Sequence, residues 1–68
     1  MAKKRVILDV RDFGLNIGQR VINHLGEKWA VSGAFKYLGE DRIFIETSSG
    51  SGRGTNSHIE NISTKADT

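Results

Sequence analysis

Gly26-Glu27-Lys28-Trp29-Ala30-Val31-Ser32-Gly33-Ala34-Phe35-Lys36-Tyr37-Leu38-Gly39 is the stretch on which the fold turns. Its residues alternate with a period of two. Trp29, Val31, Gly33, Phe35 and Tyr37 fall on one side; Lys28, Ala30, Ser32, Ala34 and Lys36 fall on the other. Successive side chains of a strand point to opposite faces, so the pattern predicts one long strand with Val31 and its aromatics in a core. Such aromatics are poor candidates for base stacking. Gly33 in mid-strand predicts a bulge or a sharp bend, as a small barrel needs. Gly26-Glu27 and Gly39-Glu40-Asp41 read as tight turns on either side. A helix here would hold Gly26, Gly33 and Gly39 in its interior at about 1 kcal/mol each. A helix-turn-helix with Gly26 as its turn would also put Glu27 and Ser32 where apolar contacts belong.

The strand reading extends in both directions. Residues 42–47 return with Ile43 and Ile45 inward and Arg42, Phe44 and Glu46 outward. Residues 19–25 read as a strand with Val21 and Leu25 on one face. Residues 12–18, with Gly14, Asn16 and Gly18, read as a loop. In residues 5–10, Val6, Leu8 and Val10 alternate with Arg5, Ile7 and Asp9 to give a leading strand. Residues 48–57 are Gly/Ser-rich, have no core pattern and read as a mobile hairpin loop, with ordering on a partner as the alternative. Ser57-His58-Ile59-Glu60 fits a capping box, so residues 58–62 are expected to form a helical turn or short strand that pins Ile59 and Ile62 to the core. Residues 63–68 read as a polar tail. The expected fold is all-β, with a single domain over residues 1–62, five strands and a short C-terminal helical turn.

Ile17-Gly18-Gln19-Arg20-Val21, followed by Gly26, Val31 and Gly33, resembles SH3-like small barrels of the KOW and Tudor kind. Those carry a Gly-x-x-Val strand, a glycine turn and a Val-x-Gly strand. The resemblance spans residues 17–62 and implies a five-stranded SH3-like barrel that binds nucleic acid or protein and catalyses nothing. The long Gly/Ser loop and the extra leading strand depart from the KOW pattern. Gly33, Asp41 and residues 57–64 are also similar to Sm-like RNA-binding barrels, without their spacing or leading helix.

Composition removes whole classes of chemistry. The 68 residues contain no cysteine, so disulfides, thiolate catalysis and Cys-ligated zinc are excluded. His24 and His58 have no ligand-spaced neighbour, and neither a metal nor another cofactor is expected. No apolar run approaches the roughly 18–20 residues of a membrane-spanning helix. Arg5-Val6-Ile7-Leu8-Asp9 is too short and too soon charged for an export signal, so the expected compartment is cytoplasmic. Ten Lys and Arg against eight Asp and Glu make the chain mildly basic, which suits an anionic partner. A core this small without staples leans on oligomerisation or a partner.

Three catalytic or ligand motifs fall short. Gly50-Ser51-Gly52-Arg53-Gly54-Thr55 has the glycines of an anion nest but lacks the lysine of a P-loop and a helix after it. Ser48, Ser49, Ser51 and Ser57 near His58 are not a triad by sequence adjacency. Asp9, Asp12, Glu40 and Asp41 lack the spacing of a calcium loop. No catalytic residue and no small-molecule substrate is therefore expected. The expected function is a non-enzymatic nucleic-acid-binding module, a small regulator that contacts RNA or DNA phosphates through Lys3, Lys4, Arg5, Arg20, Lys28, Lys36, Arg42 and Arg53. Lys28 and Lys36 would share the outer face of the long strand, with Arg42 beside them. The alternative is a protein-interaction module, an inhibitor or adaptor of a larger machine. It would bind a protein or a second copy through an outer apolar patch of Ile7, Ile22, Leu38 and Phe44.

Overall fold

A computed structural model describes residues 3–65. Five strands form one antiparallel sheet: β1 (Arg5–Leu8), β2 (Arg20–Ile22), β3 (Lys28–Tyr37), β4 (Phe44–Ser48) and β5 (Gly54–His58). The expected mainly β fold is met. β3 is the spine. One of its edges carries β2 beside Lys28–Ala30 and β1 beside Ala34–Tyr37; the other carries β4, which pairs in turn with β5. Among the described residues no helix is long and apolar enough to cross a membrane.

The sheet is not closed into a continuous barrel. Its strand order is an open path, and one isolated bridge returns from beyond β5 to β2. There Ile22 and Ser63 exchange backbone hydrogen bonds of 2.9 and 3.0 Å after a 3-10 turn over Ile59–Asn61. Ser63 is therefore part of the pairing and not the start of a loose tail; residues 66–68 lie outside the described residues.

Local chemistry sets the boundaries of the elements. β1 stops at Leu8 because Asp9 opens a 3-10 turn over Val10–Phe13, its carboxylate accepting from the Arg11 N–H at 2.9 Å. Gly14 ends that turn at φ 76°, a left-handed conformation that glycine adopts without strain. Val10, expected at the end of the leading strand, thus lies in this turn, and it enters the core together with Leu15 of the expected loop. The β2–β3 turn is held by buried Asn23, whose Oδ1 accepts from the N–H groups of Leu25 (2.9 Å) and Glu27 (3.0 Å). Leu25 sits in this turn and is exposed, not inward beside Val21 as alternation would have it.

The Arg11 guanidinium and N–H hold the Asp9 carboxyl down at about 2, against an ordinary value of 3.8. A carboxyl depressed in the folded state stabilises the fold above its unfolded value, and the contribution is lost as pH falls from there through the folded value. Acidification from about 3.8 toward 2 should therefore loosen the Val10–Phe13 turn. The Arg11 amide resonance would report this, and Asp9→Asn should abolish the titration step in that window.

One irregularity governs both faces of the sheet. On β3 the register with β4 runs Val31↔Thr47 and then Gly33↔Glu46, so Ser32 is an extra residue. An extra residue reverses the inward–outward parity of everything after it. Trp29 and Val31 point inward as expected, but past the bulge Ala34 takes the inward place. The core is Val10, Leu15, Val21, Val31, Ala34 and Ile45, with Leu8, Phe13, Ile43, Ile59 and Ile62 packed around it. Gly33, Phe35 and Tyr37 are thereby turned to the outer face, which corrects the single aromatic core face expected from alternation.

β5 replaces much of the expected mobile loop. Gly54-Thr55-Asn56-Ser57-His58 has no apolar alternation, yet pairs along its whole length with β4. Only residues 49–53 remain as the hairpin connection, clasped by Ser49 N–H to the Arg53 carbonyl at 2.9 Å. The expected capping box does not form: His58 makes no side-chain cap, and Ser57 and Glu60 are engaged with His24 and Arg42 respectively.

Candidate nucleic-acid interface

The outer face is best followed as cross-strand rows, because paired residues point the same way. At one end lies Arg5–Tyr37. Next comes Ile7–Phe35–Phe44–His58, a row that crosses four strands. Gly33–Glu46–Asn56 follows, then Arg20–Ala30–Ser48–Gly54, and finally Ile22–Lys28.

The second row and its neighbour form a continuous aromatic surface. The Phe35 and Phe44 rings stack, with centroids 5.0 Å apart and planes within 8°. Tyr37 meets both edge-on, at 5.5 and 5.6 Å. His58 tilts against Phe44 at 4.4 Å. Two cations lie over these rings: the Arg5 guanidinium is 4.3 Å from the Phe35 centroid and Lys3 Nζ is 5.3 Å from that of Tyr37. A cation over an aromatic face is attracted by the ring quadrupole, which fixes charge beside the rings. Phe35 is fully buried under this cover, whereas Tyr37, Phe44 and His58 are only half-buried. Glu46 is the carboxylate of this face, its side chain lying across Gly33.

At the other end is an open cleft of about 290 Å³ lined by Arg20, Lys28, Trp29, Ala30, Ser48, Ser49 and Gly50. The Arg53 guanidinium stands 5.4 Å from the Trp29 ring centroid. Ala30 and Phe35 are five residues apart on β3, so the cleft and the aromatic surface are separated by roughly 15 Å of strand.

The basic residues expected to act together are dispersed by the bulge and by ion pairing. Lys28 stays on the outer face, but Lys36 follows Ala34 onto the opposite one, so the two do not share a stripe. Arg42 is paired with Glu60. Lys3 pairs with Glu40 at 2.7 Å while keeping its contact with Tyr37. Lys4 is exposed, its carbonyl accepting from the Leu38 N–H. Arg5 lies on the aromatic surface, Arg20 and Lys28 gather at the cleft, and Arg53 lies over Trp29. The four apolar residues do not make one patch either. Ile7 and Phe44 share a row, exposed Leu38 lies beyond the end of β3, and Ile22 is half-buried at the far end against Ser63.

Strict alternation hid Phe35, Tyr37 and His58. The mid-strand Gly33 carried the signal for the first two: one extra residue there flips every residue after it. His58 had no such signal, because nothing in the sequence marks β5.

Among the described residues no group of acidic or histidine side chains is arranged to hold a metal ion. One serine–histidine pair is close: His24 Nδ1 lies 2.6 Å from Ser57 Oγ. Ser57 is 2% exposed, and its hydroxyl also accepts from the His24 N–H at 3.2 Å. The pair ties the β2–β3 turn to β5. No family model, curated protein or solved structure matches this chain.

Proposed function

We propose that this chain is a non-enzymatic module that binds single-stranded nucleic acid on the outer face of its sheet, acting as a small regulator by occupancy alone. One observation carries the reading. Half-buried Tyr37 and Phe44 pack on Phe35 and His58 packs on Phe44, with Arg5 over the Phe35 ring and Lys3 over that of Tyr37. Exposed ring faces accept bases at about 1–3 kcal/mol each, and adjacent cations hold the backbone. In a duplex the bases are already stacked, and no described helix is longer than a short 3-10 turn, too short to read a groove. The order β2 to β5, the 3-10 turn and the Ile22–Ser63 bridge support an SH3-like barrel as the parent architecture.

Fluorescence anisotropy of labelled oligothymidylate and oligouridylate tests the reading. Binding should weaken with salt by about 0.7 log units of affinity per log unit of salt for each phosphate engaged. A duplex of the same length should bind less. Absence of binding to either strand at low salt would overturn the proposal. A protein-interaction role is favoured by one separate observation, the exposure of Ile7 (75%) and Leu38 (66%). It predicts a partner that survives nuclease and high salt and is lost in Ile7→Asp.

A further inference from the structure

We infer that the cleft between β2, β3 and the β4–β5 connection is a phosphate-binding subsite, distinct from the aromatic surface. The inference rests on the nucleic-acid reading for the source of the phosphate, which is a phosphodiester of the bound strand. Its physical basis is the disposition of charge. Lys3, Arg11 and Arg42 are neutralised by Glu40, Asp9 and Glu60. Arg5 and Arg53 lie over Phe35 and Trp29. Arg20 and Lys28 have no carboxylate within salt-bridge distance among the described residues, and both line this cleft.

The two are diagonal neighbours on the outer face, since Arg20 pairs with Ala30 and Lys28 with Ile22. Like charges at such positions repel, and an anion between them removes the repulsion. No carboxylate lines the cleft, and Ser48 adds a hydroxyl to its wall. Gly50, at φ 82°, turns the connection over the opening without a side chain. Ser49 serves as scaffold: its hydroxyl holds Ser51 at 2.9 Å and its N–H holds Arg53. The volume of about 290 Å³ admits a phosphate group together with part of its sugar. A strand whose bases stack at Tyr37 and Phe44 can thus deliver a phosphate here, along the rows that connect the two ends.

The test combines two probes on the intact chain and on Arg20→Gln/Lys28→Gln. Both side chains are exposed, so the variant should fold, which amide dispersion would verify. Inorganic phosphate should shift amides of Arg20, Lys28, Ala30 and Ser48–Gly50 in the parent and not in the variant. With oligothymidylate, the slope of log affinity against log salt should fall by about 1.4 in the variant, two cations at about 0.7 each. Phe44→Leu should lower affinity and leave that slope unchanged. An unchanged slope together with no phosphate response at the cleft overturns the subsite while leaving the nucleic-acid reading intact. Phosphate shifts at the cleft without oligonucleotide binding support the subsite for free phosphate and overturn the nucleic-acid reading. Neither response overturns both. If the double variant fails to fold, Lys28→Gln alone should lower the slope by about 0.7, and an unchanged slope there counts against the subsite.

Discussion

Ile45→Ala is expected to remove about half of the stability of this domain. Ile45 is 0% exposed on β4, paired with Ala34 on one side and Ser57 on the other. Truncating a buried isoleucine costs about 2–5 kcal/mol, from lost burial and from the cavity left behind. At roughly 0.05–0.15 kcal/mol per residue, a chain of this length has only about 3–10 kcal/mol in total. There is no disulfide to limit the damage. The urea midpoint should fall by about half, and a midpoint within error of the parent would show that the core is elsewhere.

The adjacent residue should behave in the opposite way. Phe44→Ala is expected to weaken oligonucleotide binding by roughly 5- to 150-fold, the equivalent of about 1–3 kcal/mol for one lost stacking partner. Phe44 points outward, stacked on Phe35 and touching Tyr37 and His58. Truncation to alanine also uncovers Phe35, so some stability is lost with the affinity. Phe44→Leu separates the two effects, because leucine keeps apolar cover over Phe35 without a π-face. It should unfold close to the parent midpoint and still bind weakly. Full affinity in Phe44→Leu would mean that the ring face does not carry binding.

The contrast between residues 44 and 45 shows what was legible in the sequence. β4 reads correctly because it is regular: Ile43 and Ile45 inward, Phe44 and Glu46 outward. The Gly26 and Gly39 turns read correctly because their positive φ, 78° and 84°, leaves few alternatives to glycine. β3 reads correctly only as far as Val31. The bulge expected near Gly33 is present, but its consequence is non-local, reassigning Ala34 to the core and Phe35 and Tyr37 to the outer face. β5 was illegible for a different reason. Its residues are polar, and its strand is made by the backbone ladder to β4 and by Ser57 bonding to His24, 33 residues earlier. Local propensity does not contain that partner.

The same distinction explains the site. Single basic residues were identifiable from composition, but their grouping depends on parity and on ion pairs. Lys36 lost its place beside Lys28 through one inserted residue, and Arg42 is held by Glu60, whose position follows from the Ile59–Asn61 turn. Arg20 and Lys28 come together only because β2 pairs with the first residues of β3.

The central claim is that the outer face, turned aromatic by the bulge, is where a single strand is held. Amide and ring chemical-shift mapping of the folded chain with unlabelled oligothymidylate tests it most directly. The account predicts the largest changes at Arg5, Tyr37, Phe44 and His58, with little change at Val10, Leu15 and Ile62 on the other side. Changes centred on those inner-side residues, or none on the outer rows, would contradict it.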